Sequence, residues 1–261
     1  MSELNLGLGS VSGSATETAK LIYTDIDADF SGELLKPLSA PLVFACPDSS
    51  QRLSSFDSAK LTCGVDEAGR GALMGPVCCA AVVLDPDRPI AGLADSKKLS
   101  LTAREALREQ ILERALDFSV VLIGPARIDQ INILEATLEG MAIAVNSLTA
   151  AVTLARIDGN RAPKLNVPFD LEIKGDSRFA EIMAASILAK TTRDRYMLAL
   201  AKKHPDRGVD KHKGYGTALH LSELEQLGTT DQHRRSFAPV RLALQAEWVL
   251  TESGYCVGLT S

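Results

Sequence analysis

Four acids stand where an α/β chain places its chemistry. Asp66 and Glu67 follow the apolar run LTCGV, Asp158 follows VTLARI and precedes Gly159, and Asp176 follows LEIKG. An acid at the carboxyl end of a strand, ahead of a turn, faces the crevice where open α/β sheets build their sites. Carboxylate oxygens are the ligands that hard divalent cations prefer, and two such cations about 3.5–4 Å apart can clamp the attacking and leaving oxygens of a phosphodiester. Three or four gathered carboxylates repel one another unless cations neutralise them, so the grouping implies metals. Each acid taken alone also has an ordinary reading. Asp66 and Glu67 suit a polar turn, and Asp158-Gly159 is a common turn dipeptide. Asp176 or Ser177 suits a helix cap, with Glu181 favourable in the first turn. Spacing alone therefore supports an α/β protein with a candidate metal site.

The elements that must position these acids read as strands alternating with helices from Lys60 onward. Strands are expected at LTCGVD, at 77–84, at 119–124, at 152–158 and at 169–174. Helical spacing occupies 102–117 through Leu107, Ile111, Leu112 and Ala115, and 131–148 with Leu134, Leu138, Met141 and Val145 on one face. An alanine-rich helix spans about 178–203, a shorter one follows Thr217, and a last one covers 240–251. Such alternation predicts a sheet with helices packed on it. Residues 1–59 look separate. Ser, Thr, Gly and Asp dominate the first thirty and prolines interrupt LLKPLSAPLVFACP, so a flexible or loosely docked extension dispensable for chemistry is expected. The expected division is 1–59, a core at 60–203, and a helical region at 204–261.

The 261-residue chain has a formal net charge of −5, which by itself argues against a nucleic-acid partner. Its distribution changes that reading. Residues 1–59 hold eight acids and three bases, the remainder is balanced, and 190–241 hold eleven Lys or Arg against six acids. A basic face in the later part could follow phosphates, although such counts equally describe a solvated surface. Five cysteines form no C-x-x-C pair, and adjacent Cys78 and Cys79 sit in an apolar run as small core residues. The start MSELNLGLGS does not read as a secretory signal, and no apolar stretch is long enough for a membrane span. A reducing cytoplasm is expected.

The residues around the acids narrow the reading. The run CGVDEAGRGALMGPV at 63–77 closely resembles the first motif of type 2 ribonucleases H. The resemblance continues in order through ADSKKLS at 94–100, RIDGN at 156–160, KGDS at 174–177, AASILAKTTRDRY at 184–196, HKGYGT at 212–217 and HRRSFAPV at 233–240. It covers roughly residues 61–240, and seven ordered blocks are a specific match.

The resemblance implies a ribonuclease H-like fold, a mixed sheet flanked by helices with a small helical C-terminal region. It assigns Asp66, Glu67, Asp158 and Asp176 as the catalytic, metal-holding quartet for Mg2+ or Mn2+. It implies cleavage of RNA–DNA hybrids and of ribonucleotide-containing duplex DNA, leaving a 3′-hydroxyl and a 5′-phosphate. Gly69, Arg70 and Gly71 would read the ribose, since glycines let the backbone approach a sugar whose 2′-hydroxyl marks RNA. Tyr215 would pack on the sugar at the RNA-to-DNA junction, and Lys97 and Lys98 would touch phosphates. Tyr215 also reads as a core anchor, and the lysines as solvated. The roles of Lys190, Arg193 and Arg195 stay open between holding the substrate backbone and forming a wet helix face. A monomer is expected. The segment TDIDADF at 24–30 superficially offers the D-x-D of an aspartyl phosphatase, but it lacks an apolar strand before it, lies in the acidic segment and reads as solvated. Rival readings are a DNA-acting nuclease of the same fold superfamily and a hybrid-binding protein with a dead site. GRG with GYGT argues against the first, and the four acids against the second.

Overall fold

Side-chain alternation fixes how the central strands are used. A computed structural model describes residues 21–23, 30, 37–54 and 61–252. Its strands are β1 (Leu21–Tyr23), β2 (Leu42–Ala45), β3 (Thr62–Ala68), β4 (Val77–Val83), β5 (Asp117–Ile123), β6 (Leu154–Asp158) and β7 (Phe169–Glu172). Its helices are α1 (Ser49–Leu53), α2 (Leu101–Arg114), α3 (Pro125–Asn146), α4 (Ala180–Lys203), α5 (Val209–His212), α6 (Ala218–Leu227) and α7 (Ala238–Glu252). The seven strands form one mixed sheet in the order β1-β2-β5-β4-β3-β6-β7. The β2–β5, β5–β4 and β4–β3 pairs are antiparallel, and β1–β2, β3–β6 and β6–β7 are parallel.

Because the strand period is two, successive residues of β4 enter opposite layers. Cys78, Ala80 and Val82 join the layer under α2 and α4, while Val77, Cys79, Ala81 and Val83 join the layer under α3. A strand buried on both faces explains the unbroken apolar run VCCAAVV. Cys46, Cys63, Cys78 and Cys79 are buried free thiols, and burial pushes Cys46 up to about 11 and Cys63 up to about 12. They pack as small apolar groups, whereas Cys256 lies outside the described residues. Among the described residues no helix is long and apolar enough to cross a membrane.

Close packing of α4 on β3 depends on small residues at the crossing. Ala184, Ala185 and Ala189 are fully buried. Opposite them, a Cβ on Gly64 would stand 2.1 Å from the Glu181 carbonyl carbon and 2.3 Å from the Ile182 nitrogen. Only glycine fits, because the obstacle is backbone.

Two boundaries depart from the sequence reading. The strand expected over 169–174 stops at Glu172, because Lys174 turns left-handed (φ 58°) and Gly175–Ser177 forms a 3-10 turn. Inside α3, Asn132 breaks the helix at φ 68°, and its Oδ1 accepts from the Leu134 and Glu135 nitrogens. It therefore caps the portion that begins near residue 133, close to the expected start at 131.

The expected loose extension needs a larger correction. β2 pairs with β5 along Leu42–Ala45, and Phe30, Leu38, Leu42, Val43 and Phe44 are buried. Phe30 packs edge-on against Phe44 and Tyr196. Arg52 of α1 donates to the Leu112 and Ala115 carbonyls at the end of α2. These residues lie inside the core, and the prolines that suggested looseness merely flank a short strand. The described C-terminal region, α5 to α7, docks through Leu73, Leu224 and Val240. Asp129 of α3 also accepts from the Arg235 and Ser236 nitrogens.

Two outcomes follow. Gly64→Ala should destabilise the fold by about 3 kcal/mol or more, since overpacking against backbone cannot relax by a rotamer change; the urea midpoint measures it. A chain beginning near Ser58 should melt more than about 10 °C lower or associate. It loses several side chains whose burial is worth about 1.5–3 kcal/mol each, and it bares β5 as an edge. Equal melting temperatures would restore a boundary near residue 59.

Candidate active site

The acids reach one end of the sheet by three routes. Asp66 and Glu67 are adjacent on β3 and so leave opposite faces. Asp66, buried under α4, has its Oδ1 accepting from the Glu67 nitrogen at 2.7 Å, and Ser186 of α4 bonds to it. Glu67 enters a small cleft shared with Asp158 and lined by Arg70, Thr137, Leu138 and Arg161. Asp158 ends β6, and its Oδ1 accepts from the Gly175 nitrogen at 2.7 Å. That bond is why Lys174 turns left-handed, since the turn aims the next amide back at β6. Asp176 follows in the same turn, buried, ahead of α4.

Asp158 is the carboxylate that the other three have in common. Its charge is felt by Asp66 and Glu67, and it feels that of Asp176. Burial is the main cause holding Asp66, Glu67 and Asp158 above the ordinary carboxylate range. Repulsion by Glu67 and Asp158 adds to it at Asp66, and repulsion by Asp176 adds at Asp158. At Glu67 the Arg70 guanidinium, 3.3 Å away, opposes the rise.

Lys97 is the cation among these acids. Its Nζ donates to Asp176 Oδ2 at 3.3 Å. Partial burial works against its charge, but the bond to Asp176 and the fields of Asp176, Asp66 and Asp95 hold the ammonium above the ordinary lysine value. Its side chain is 76% exposed, so the pair is weak and easily displaced. Lys98 does not reach the acids; it lies exposed, 4.0 Å from Asp95.

Among the described residues no three His, Cys, Asp or Glu side chains are drawn together tightly enough to grip a metal ion. The donor chemistry nonetheless fits a hard divalent cation, with four carboxylates, two buried and two half-buried, that repel one another and are only partly offset by Lys97 and Arg70. A larger cavity of about 730 Å3 lies along α3, lined by Arg127, Ile131, Glu139, Asn146 and Lys164, and contains none of the four acids.

The two loops expected to read a ribose meet beside this cluster. The turn 69–71 begins one residue after β3 ends. Gly69 has φ 91°, and a Cβ there would strike Arg193 Nε at 2.0 Å, whereas Gly71 faces open space. Ala72 bridges to Tyr215, and the Leu73 nitrogen donates to the Gly214 carbonyl at 2.7 Å. Tyr215 is half-buried, with the Arg193 guanidinium 5.1 Å and the Lys190 ammonium 5.6 Å from its ring centre.

Arg193 belongs to neither of the roles left open for it. It is fully buried and donates to the carbonyls of Pro76, Lys213 and Met74, so it fastens both loops from inside. Arg234 does likewise, donating to the Gly75 and Arg70 carbonyls. Lys190 pairs with Asp194, and Arg195 with Glu105. The sequence reading missed the bracing role of Arg193 and Arg234. Arg193 shares the helical face of Ala189, Tyr196 and Leu200, a spacing that marks it as buried; nothing comparable marks Arg234.

The model of the family described as Ribonuclease HII matches residues 63–240. A curated ribonuclease HII from Dechloromonas aromatica (strain RCB) is 54% identical over 180 residues, 69% of this chain and 92% of that protein. The crystal structure of ribonuclease H2 from Pyrococcus horikoshii OT3 aligns with a TM-score of 0.60 at 28% identity, covering 71% of this chain and 98% of the other. The ribonuclease HII in a complex with PCNA from Archaeoglobus fulgidus aligns with a TM-score of 0.54 at 25% identity, covering 68% and 95%. The order of motifs, the ribonuclease H-like sheet and this extent of identity lead to one conclusion: the chain belongs to the ribonuclease HII family.

Proposed function

We propose that this ribonuclease H, besides acting on RNA–DNA hybrids, cuts at single ribonucleotides embedded in duplex DNA, with two divalent cations, Mg2+ or Mn2+, held by Asp66, Glu67, Asp158 and Asp176. One observation carries the reading: acids that crowd around Asp158 lie beside two loops, 69–71 and 214–217, that are bonded to each other. Bound cations would polarise the phosphodiester and lower the pKa of an attacking water, giving a 3′-hydroxyl and a 5′-phosphate.

The chain's own residues supply the rest. Asp66 and Asp158 are each oriented by a backbone N–H, and Asp158 lines the cleft that Glu67 enters. Lys97 partly neutralises Asp176 and can swing to a phosphate when a cation takes its place. The backbone of 69–71 is open on the Gly71 side, where a 2′-hydroxyl can be both donor and acceptor. The Tyr215 ring offers a flat face to the sugar of the next, deoxy nucleotide, where a 2′-hydroxyl would clash. Lys98 and Arg70 can follow phosphates from exposed positions. The reading takes the protein to act as a monomer in the cytoplasm.

Asp66→Asn or Asp158→Asn should abolish cleavage of a duplex bearing one ribonucleotide, and a chelator should do the same to the wild type. The thermal midpoint measured in chelator should hold or rise, because a nearly isosteric amide keeps the acceptor and removes the repulsion. Wild-type cleavage by either variant would sink the assignment. Tyr215→Ala should lower cleavage at a single embedded ribonucleotide by roughly ten- to a hundredfold, on the scale of about 1–3 kcal/mol for aromatic stacking. A continuous hybrid should suffer less. An equal loss on both substrates would make Tyr215 a packing residue.

A further inference from the structure

Tyr215 is held from behind by a chain of imidazoles. His220 Nδ1 lies 3.1 Å from the Tyr215 carbonyl oxygen, His220 Nε2 lies 3.1 Å from His233 Nε2, and His233 Nδ1 lies 2.9 Å from the Thr230 nitrogen. A peptide N–H can only donate, so His233 Nδ1 accepts and carries no proton. A neutral His233 then has its proton on Nε2 and donates to His220 Nε2. That leaves His220 with its proton on Nδ1, donating to the Tyr215 carbonyl. One placement of protons satisfies the whole chain, and a further proton on either ring would set two N–H groups face to face.

The surroundings keep both rings neutral. Burial lowers His233 to about 3, helped by the neighbouring His220, and lowers His220, helped by His212. His212 lies flat on His220, with ring centres 4.1 Å apart and planes 8° from parallel. Its Nδ1 accepts from the Gly214 nitrogen, and its Nε2 donates to Glu223 Oε2 at 3.1 Å. Glu223 Oε1 accepts from the Gly208 nitrogen. All three rings are buried, where apolar side chains would pack without desolvation, so the polar chain demands another purpose. The same loop is also tied by the bridge to Ala72, the Gly214 carbonyl, the Gly214 and Tyr215 nitrogens, which donate to His212, and Arg193.

We propose that His220 and His233 are positioning residues for Tyr215, a hydrogen-bonded strut that fixes where the ring stands over the sugar and thereby sets selectivity for a ribonucleotide–deoxyribonucleotide junction. The proposal rests on the reading of Tyr215 as the junction reader, and the test separates the two.

Amide side chains imitate one ring nitrogen at a time. In asparagine the polar atoms fall near Nδ1, and in glutamine near Nε2. His220→Asn keeps a donor for the Tyr215 carbonyl, and His220→Gln removes it. His233→Gln keeps the donor toward His220, and His233→Asn keeps only the acceptor for Thr230. The readout is the ratio of kcat/KM on a single-ribonucleotide duplex to that on a continuous hybrid. It should fall roughly three- to tenfold in His220→Gln and His233→Asn, the scale of one neutral hydrogen bond, and stay within about twofold in the paired variants. Equal losses on both substrates in all four variants would make the histidines mere core and overturn the strut. If Tyr215→Ala leaves the ratio unchanged, the junction reading itself fails. If Tyr215→Ala shifts the ratio and the histidine pairs do not separate, only the strut fails. A measurement on the unaltered protein decides the matter without relying on folded variants. The chain has four histidines, so long-range proton–nitrogen spectra at pH 7 resolve each ring. The strut requires Nδ1–H on His220 and Nε2–H on His233, and the opposite tautomer or a charged ring at either position overturns it.

Discussion

Repulsion among four carboxylates is the constraint that the rest of the molecule accommodates. Removing a carboxylate from water disfavours its charge, and a like charge nearby disfavours it further. Asp66 carries both penalties, and Asp158 shares an electrostatic influence with each of the other three. The arrangement survives because each acid is fixed by something other than its neighbours. Val65 and Ile157, in the apolar layer under α3, anchor β3 and β6 immediately before the acids. Gly64 lets α4 seal the other face of β3. Two backbone N–H groups and the exposed Lys97 offset part of the charge from outside. Packing holds the acids at one end of the sheet while electrostatics pushes them apart, and that tension is what a divalent cation would relieve.

The loops beside the acids are organised by a different force. A loop carries carbonyls that no ladder satisfies, and when such a loop is buried each carbonyl needs a donor. Arginine offers five N–H donors and no acceptor, which suits it to several carbonyls at once. Arg193 reaches into three residues and Arg234 into two, and together they cover positions 70, 74, 75, 76 and 213. The basic excess over 190–241 is thus partly interior. A charge count treats Arg193 and Arg234 as phosphate-facing, whereas burial shows them tying the 69–76 stretch to the C-terminal region.

What was legible in the sequence follows the reach of the signals. The strand-end acids were legible because apolar runs ending in Asp or Glu are local patterns, and β3, β6 and the turn after β7 carry them to the same end of the sheet. β4 and the alanine-rich α4 were legible for the same reason. β2 was not. Five residues between prolines, four of them in the strand, make too short a run for alternation to register, and their burial comes from β5 and Tyr196, distant in sequence. The end of β7 was misread because Ile173 continues the apolar alternation, while the bond from Gly175 to Asp158, a tertiary contact, turns the chain at Lys174. Lys97 and Lys98 are indistinguishable as neighbours in a motif, and only the fold reveals that one reaches Asp176 while the other stays outside.

Catalysis and ribose recognition, as proposed here, are joined by a very short piece of chain. Glu67 lies in β3, the strand ends at Ala68, and the turn begins at Gly69. Even fully extended, the three residues from Glu67 to Arg70 span only about 10 Å, and the Arg70–Glu67 ion pair folds them closer still. A 2′-hydroxyl bound at this turn therefore belongs to a nucleotide within reach of the acids, so the nucleotide that is read is the one that is cut. Tyr215 is coupled less directly, through one bridge to Ala72 and the polar braces behind it. The first contact inherits the rigidity of the sheet, while the second depends on hydrogen bonds that must be made correctly. Selectivity for the deoxy side of a junction should accordingly be the more easily altered of the two, since it hangs on the placement of protons rather than on the position of a strand.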